Sequence, residues 1–186
     1  TVADTEQLLA AGQGYGLTPK IHVNQFQAIG GVAAGVQYNA LSVDHLEVLR
    51  QEDITALTGS RTMPVALPAC SFFLGIPYTP ARKILEAGLP LALASDYNPG
   101  SSPTGNMNFV VATACIKMQL SPEAAINAAT LNGAYALGLE SEVGSITVGK
   151  RANLLLSKPM PSYAYWPYAF AENHIETVFL NGQAFL

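Results

Sequence analysis

The chain has 186 residues, 49% of them hydrophobic and 12% charged, a balance that fits one globular domain with a sizeable core and excludes a disordered chain. A net charge of −4 without any Arg/Lys cluster argues against nucleic acid as a partner. No apolar run reaches the length of a membrane span, so no membrane partner is expected. Cys70 and Cys115 sit among apolar neighbours and read as core thiols of a reducing compartment, by default the cytoplasm.

Residues 1–13 predict a helix, with Thr1 or Asp4 as its cap, Leu8, Leu9 and Ala11 as an apolar stripe, and Gly14 and Gly16 at its end. A short strand over 19–26 carries His22 and ends in polar groups, among them Gln25. Residues 28–36 are a small-residue helix or turn, loosened by glycines. A second strand over 40–46 ends in Asp44 and His45, and a helix follows over 47–57 with Val48, Leu49, Ile54 and Leu57 on its apolar side. Residues 62–70 read as a third strand bounded by prolines, with Cys70 at its end. Residues 79–88 predict a helix with Thr79 as N-cap, Pro80 at the first position and Gly88 past the end. Residues 91–95, Leu-Ala-Leu-Ala-Ser after Pro90, lack polar alternation, as expected of a strand buried on both faces.

That fourth strand stops at Asp96, and Asn98-Pro-Gly100-Ser101 then forces a turn around the carboxylate. Four strands alternating with helical segments are the rhythm of a parallel sheet. Ionisable groups arrive at the ends of three of them: His22, then Asp44 and His45, then Asp96. In a (β/α)8 barrel such ends converge on one face. Four units make half a barrel, whose two open sheet edges point to an amino-terminal half lying outside this sequence. After apolar helices over 108–118 and 124–137, the second started by Ser121-Pro122-Glu123, the pattern changes. Short strands over 144–150, 152–157 and 175–183 read as a small β layer, with Asn181-Gly182 as a hairpin turn and an aromatic, proline-rich loop over 159–170. The expected division is 1–140 for the half barrel and 141–186 for part of a small β-sandwich.

His22 and Asp96 on one barrel face would suit zinc or iron, since imidazole plus carboxylate is a donor set of both. The competing readings are a satisfied core histidine and a turn-capping aspartate. His45 is open to three readings: a third ligand, a substrate contact, or a structural group hydrogen-bonded to Asp44. Gln25 is either a substrate contact or ordinary surface. His174 reads as loop or edge, and Cys70, with no base assigned to it, as a core thiol. Two ligands fall short of the three usual for catalytic zinc, so the residues alone lead to half of a metal-dependent hydrolase site.

The segments Lys-Ile-His22-Val-Asn-Gln25-Phe, Ser-Val-Asp-His45-Leu, Ala-Ser-Asp96-Tyr-Asn98-Pro-Gly100-Ser101 and Gly-Ser-Ile-Thr-Val-Gly-Lys-Arg-Ala-Asn153 together resemble the carboxyl-terminal half of the imidazolonepropionase family, within the amidohydrolase superfamily. The resemblance covers essentially the whole chain. It implies a cyclic amidohydrolase of histidine breakdown, opening the ring of 4-imidazolone-5-propanoate with water to give N-formimidoyl-L-glutamate. It further implies one zinc or iron ion, with His22 and Asp96 as two ligands and a His-x-His pair, absent here, as the others. Asp96 matches the residue that takes a proton from the metal's water. His45 matches the histidine near the substrate carbonyl, and Asn98, Gly100 and Ser101 match substrate-contacting positions. Gln25 stands where the family commonly carries Glu; an amide can hydrogen-bond the ring but cannot shuttle a proton. Asn153 likewise stands where Asp is usual.

Two alternatives stay open. One is another amidohydrolase acting on a heterocyclic base. The other is a non-catalytic remnant, motivated by Gln25 and the absent His-x-His pair. An interface through the β layer and aromatic loop, as in a homodimer, is compatible with any of these readings.

Overall fold

In the computed structural model, which describes residues 1–185, the chain forms two sheets. The first holds β1 (Lys20–Val23), β2 (Ser42–His45), β3 (Met63–Ala66) and β4 (Ala92–Leu93), all parallel and ordered β1-β2-β3-β4. Its register pairs His22 with Asp44 and Val65 with Ala92. Each strand lies beside its sequence neighbour, and helices α1 (Val2–Gly14), α2 (Gly31–Gln37), α3 (Gln51–Leu57), α4 (Pro68–Leu74) and α5 (Ala81–Glu86) precede or connect the strands. This is half of a (β/α)8 barrel, as the sequence rhythm predicts. Helices α6 (Met107–Met118), α7 (Pro122–Ala129) and α8 (Leu131–Ala136) follow.

The core lies between this sheet and its helices. Val43, Leu46, Leu57, Ile84, Leu91 and Val110 are almost wholly buried in it. The glycines of α2 do not loosen that helix; they bring it close. A Cβ on Gly35 would meet Ile21 Cδ1 at 2.8 Å and Val43 Cγ1 at 2.9 Å. Small residues are therefore the condition for packing α2 onto β1 and β2.

Four local expectations are corrected. The apolar stretch 62–70 is a strand only to Ala66; Pro68 then starts α4, which ends at Gly75 in the left-handed conformation, so Cys70 sits in a helix. Pro at a helix start and Gly past its end were the signal, hidden inside one continuous apolar run. Pro80 rather than Thr79 is the N-cap of α5; the Thr79 hydroxyl donates instead to the His45 carbonyl at 2.6 Å. The helix expected over 124–137 is broken at Thr130 (φ −117°, ψ −82°) into α7 and α8. Residues 144–150 are turns rather than a strand, with Ile146 and Val148 bare at 90% and 104% exposure.

The second sheet is antiparallel: β5 (Leu154–Ser157), β6 (Ile175–Leu180) and β7 (Gln183–Phe185). Asn181 and Gly182 both have positive φ (51° and 80°) and close the two-residue turn between Leu180 and Gln183. The aromatic loop before β6 contains a short helix, α9 (Tyr165–Tyr168).

Candidate active site at the strand ends

The carboxyl ends of β1, β2 and β4 share a backbone habit. Asn24, His45, Leu46 and Asp96 all take positive φ: 56°, 93°, 65° and 53°. Asn and Asp tolerate the left-handed region; a His-Leu pair does so only where the surroundings hold it there. Here three bonds do. Leu46 N–H donates to Val23 O at 3.3 Å, Val48 N–H to Asn24 O at 2.9 Å, and Thr79 Oγ1 to His45 O at 2.6 Å. Leu46 is sealed in the core, and the chain reverses sharply after His45.

His22 and His45 are thereby brought together, with ring centroids 4.2 Å apart and planes tilted by 56°. His22 is open on one side, whereas His45 is buried. Desolvation holds the His22 imidazole below its ordinary pKa and His45 adds to this, while the carboxylates of Asp96, Glu47 and Asp44 oppose it. A neutral imidazole is the form that binds a metal. His45 does not bond Asp44, whose carboxylate accepts from Ser42 Oγ at 2.6 Å. Its Nδ1 lies 3.3 Å from Glu47 Oε1, which also accepts from Ser71 Oγ at 3.0 Å. Glu47 and Ser71 escaped notice in the sequence because Glu47 read as the first residue of a helix over 47–57, which in fact starts at Gln51, and Ser71 follows what read as a strand.

Asp96 is half-buried at the head of a loop that Asn98 organises. Asn98 Oδ1 accepts from Gly100 N–H at 2.9 Å and Ser101 N–H at 2.8 Å, while its Nδ2 donates to Asp96 O at 2.6 Å. Ser101 Oγ lies 3.4 Å from Asp96 Oδ2 and 3.1 Å from Asn98 Oδ1, and its single proton serves one of them at a time. The side chain of Asn98 is thus engaged in shaping the loop. Gln25 is half-buried and its Nε2 donates to Cys70 Sγ at 3.4 Å. Burial pushes the Cys70 thiol up to about 11, which keeps it a thiol rather than a nucleophilic thiolate. His174 lies in a loop before β6, buried against Tyr165 and Trp166.

No group of three or more His, Cys, Asp or Glu side chains is gathered to hold a metal ion among the described residues. Imidazole and carboxylate are nonetheless the right donors, and His22 and Asp96 fit one side of such a site. Two cavities flank the region. One of about 760 Å³ opens beside the Asp96 loop, lined by Ala69, Phe72, Ser102, Thr104 and Phe109 among others. The other, about 1030 Å³, runs from Lys20, Asp44 and Leu93 across to β5. Neither is lined by His22, His45 or Asp96.

Half a parallel barrel with imidazole and carboxylate at its strand ends defines a class, and the family match agrees: the amidohydrolase family covers residues 18–185. The chain belongs to the amidohydrolase family. Within it, the chain is 65% identical over 183 residues to an imidazolonepropionase of Flavobacterium johnsoniae, covering 98% of this chain and 44% of that protein. It is 44% identical to the imidazolonepropionase of Rubrobacter xylanophilus, covering 97% and 43%. The chain therefore spans less than half the length of the curated relatives it matches. Among solved structures, it superposes on a zinc-bound adenosine deaminase from Xanthomonas campestris with a TM-score of 0.80 at 21% identity, covering 99% of this chain and 48% of that one. A 5-methylcytosine deaminase from Klebsiella pneumoniae gives a TM-score of 0.81 at 16% identity, covering all of this chain and 52% of that one. At such identities the likeness speaks for the fold alone.

Proposed function

We propose that this chain is the carboxyl-terminal half of an imidazolonepropionase. Residues 1–140 would supply half of the barrel and 141–186 a portion of a β-sandwich, and an amino-terminal half would complete both. The carrying observation is the meeting of the His22 and His45 rings at the ends of the neighbouring strands β1 and β2, with the Asp96 carboxylate after β4 acting electrostatically on His22, in a chain 65% identical to a protein of that name. The reaction adds water across a ring C–N bond of 4-imidazolone-5-propanoate and releases N-formimidoyl-L-glutamate.

His22 and Asp96 would hold one zinc or iron ion, with a His-x-His pair of the amino-terminal half as the other ligands. When bound, such an ion would supply Lewis acidity that makes water easier to deprotonate. Asp96 would be the general base, taking a proton from water and giving it to the leaving nitrogen. His45 hydrogen-bonds the reacting carbonyl or the attacking water from the buried side. Ser101 and Gly100 line the loop over the ring, and Asn98 sets the loop's shape. Gln25 hydrogen-bonds the substrate without moving a proton. The two free cysteines suit a reducing compartment such as the cytoplasm. No helix among the described residues is long and apolar enough to cross a membrane. A homodimer is a further expectation, to be read by sedimentation.

The test is an assay of imidazolonepropionate hydrolysis by the protein that carries this chain with its amino-terminal half, alongside elemental analysis. About one zinc or iron per chain and turnover of imidazolonepropionate but not of heterocyclic bases are expected. Turnover of a base instead would replace the substrate assignment. Metal-free, inactive protein would favour a binding remnant, the reading that Gln25 motivates.

A further inference from the structure

We propose that Glu47 is a positioning residue, whose carboxylate holds the Nδ1–H of His45 and so fixes which ring nitrogen faces the substrate. This rests on the hydrolase reading above and adds a residue to it.

The side chains of His45 and Glu47 are 3% and 1% exposed, so their contact is removed from water. Oε1 of Glu47 is 3.3 Å from His45 Nδ1 and accepts from Ser71 Oγ at 3.0 Å. Oε2 is buried with no hydrogen-bond partner. A buried carboxylate oxygen left bare is costly, and it marks a group retained for something other than stability. Oε1 of Glu47 already accepts from Ser71 Oγ, so in its contact with His45 it is the acceptor and Nδ1 carries the hydrogen. Nε2 is then the ring nitrogen left to meet substrate or water, since the bond made by one ring nitrogen decides the role of the other.

The backbone imposes the same orientation. His45 and Leu46 sit at φ 93° and 65°, and Thr79 Oγ1 fastens the His45 carbonyl at 2.6 Å. The ring is therefore fixed at its Cα by a strained, stapled turn and at its far side by Glu47, and it lies against His22 with centroids 4.2 Å apart. The groups that hold this turn come from several elements: His22 from β1, Glu47 after β2, Ser71 on α4 and Thr79 before α5. Among the described residues Glu47 alone bonds the ring nitrogen, and Ser71 orients Glu47.

The test uses the protein that carries this chain with its amino-terminal half, labelled with ¹⁵N-histidine. Glu47→Gln keeps the shape but offers either an oxygen or an N–H to Nδ1, so the tautomer is no longer dictated. The expected result is a fall in kcat of about 10–100-fold, by analogy with the loss of carboxylates that orient metal-ligating histidines. KM stays within about twofold, metal content is unchanged, and the His45 nitrogen shifts move from the Nδ1–H pattern towards the Nε2–H pattern. Wild-type kcat together with an unaltered Nδ1–H pattern would overturn the proposal. Should Glu47→Gln fail to fold, Ser71→Ala decides. A several-fold lower kcat with unchanged metal content supports the proposal; wild-type kcat and nitrogen shifts overturn it. If the unsubstituted protein does not hydrolyse imidazolonepropionate, the substrate reading fails, and the nitrogen shifts alone still decide the role of Glu47.

Discussion

The strand ends of the half barrel and the small β layer are built to opposite standards within one chain. At the strand ends, β2 and β3 are buried on both faces, and the reversal at His45–Leu46 is held by backbone and side-chain bonds. In the β layer, Leu154, Leu155 and Leu156 are 36%, 54% and 51% exposed, and Ile146 and Val148 are bare. The hydrogen bonds of β5 to β6 and of β6 to β7 are formed all the same. The difference shows that pairing and burial are separable. A hairpin with the right turn residues finds its register locally, whereas apolar side chains are covered only when a second layer arrives.

The largest expected effect falls at the strand ends and concerns chemistry rather than stability. In the protein completed by its amino-terminal half, Asp96→Asn is expected to lower kcat by about 10²–10⁴-fold, the usual contribution of a general base. Asn keeps the left-handed backbone that Asp96 adopts (φ 53°), so a loss of activity would not come from a refolded loop. His22→Ala is expected to reduce the metal content found by elemental analysis. Wild-type turnover in both variants would sink the assignment of the site.

The next effect measures the buried side of the comparison. Leu57 is 1% exposed in the barrel core, and Leu57→Ala should cost about 2–5 kcal/mol in urea unfolding. Thr79→Val removes the donor to the His45 carbonyl inside the same core. A loss of about 1–3 kcal/mol is expected, since the carbonyl would lose its side-chain partner where water does not reach. An unchanged unfolding midpoint in Thr79→Val would mean that the strained turn is held without this staple.

The contrast between the two regions also explains what could be read from sequence. The four βα units, their parallel order and the helix after Pro80 were legible because apolar runs and Pro/Gly punctuation are local. The placing of His22 and His45 at neighbouring strand ends was legible because parallel strands end on one face in this topology. The His45 contact with Glu47 and Ser71 was not, because it depends on a positive-φ reversal at two non-glycine residues that no propensity favours, and on α4 starting inside an apolar run. Residues 144–150 misled in the opposite way. Ile-Thr-Val alternates like a strand, but alternation records a preference for a pleated, half-buried surface, and this segment pairs with no strand among the described residues.

The smallest effect carries the comparison furthest. Leu155 is 54% exposed and pairs with Val178 across β5 and β6. In this chain by itself, Leu155→Ala should shift unfolding by no more than about 0.5 kcal/mol, as expected at an exposed position. In the protein completed by an amino-terminal half, the same substitution should cost about 1.5–3 kcal/mol if a second sheet covers the leucines. The difference between the two measurements isolates the covering layer, because the pairing of Leu155 with Val178 is common to both. An equally small effect in both would mean that Leu154, Leu155 and Leu156 stay exposed in the longer protein, and the β layer would then be a surface in its own right rather than half of a sandwich.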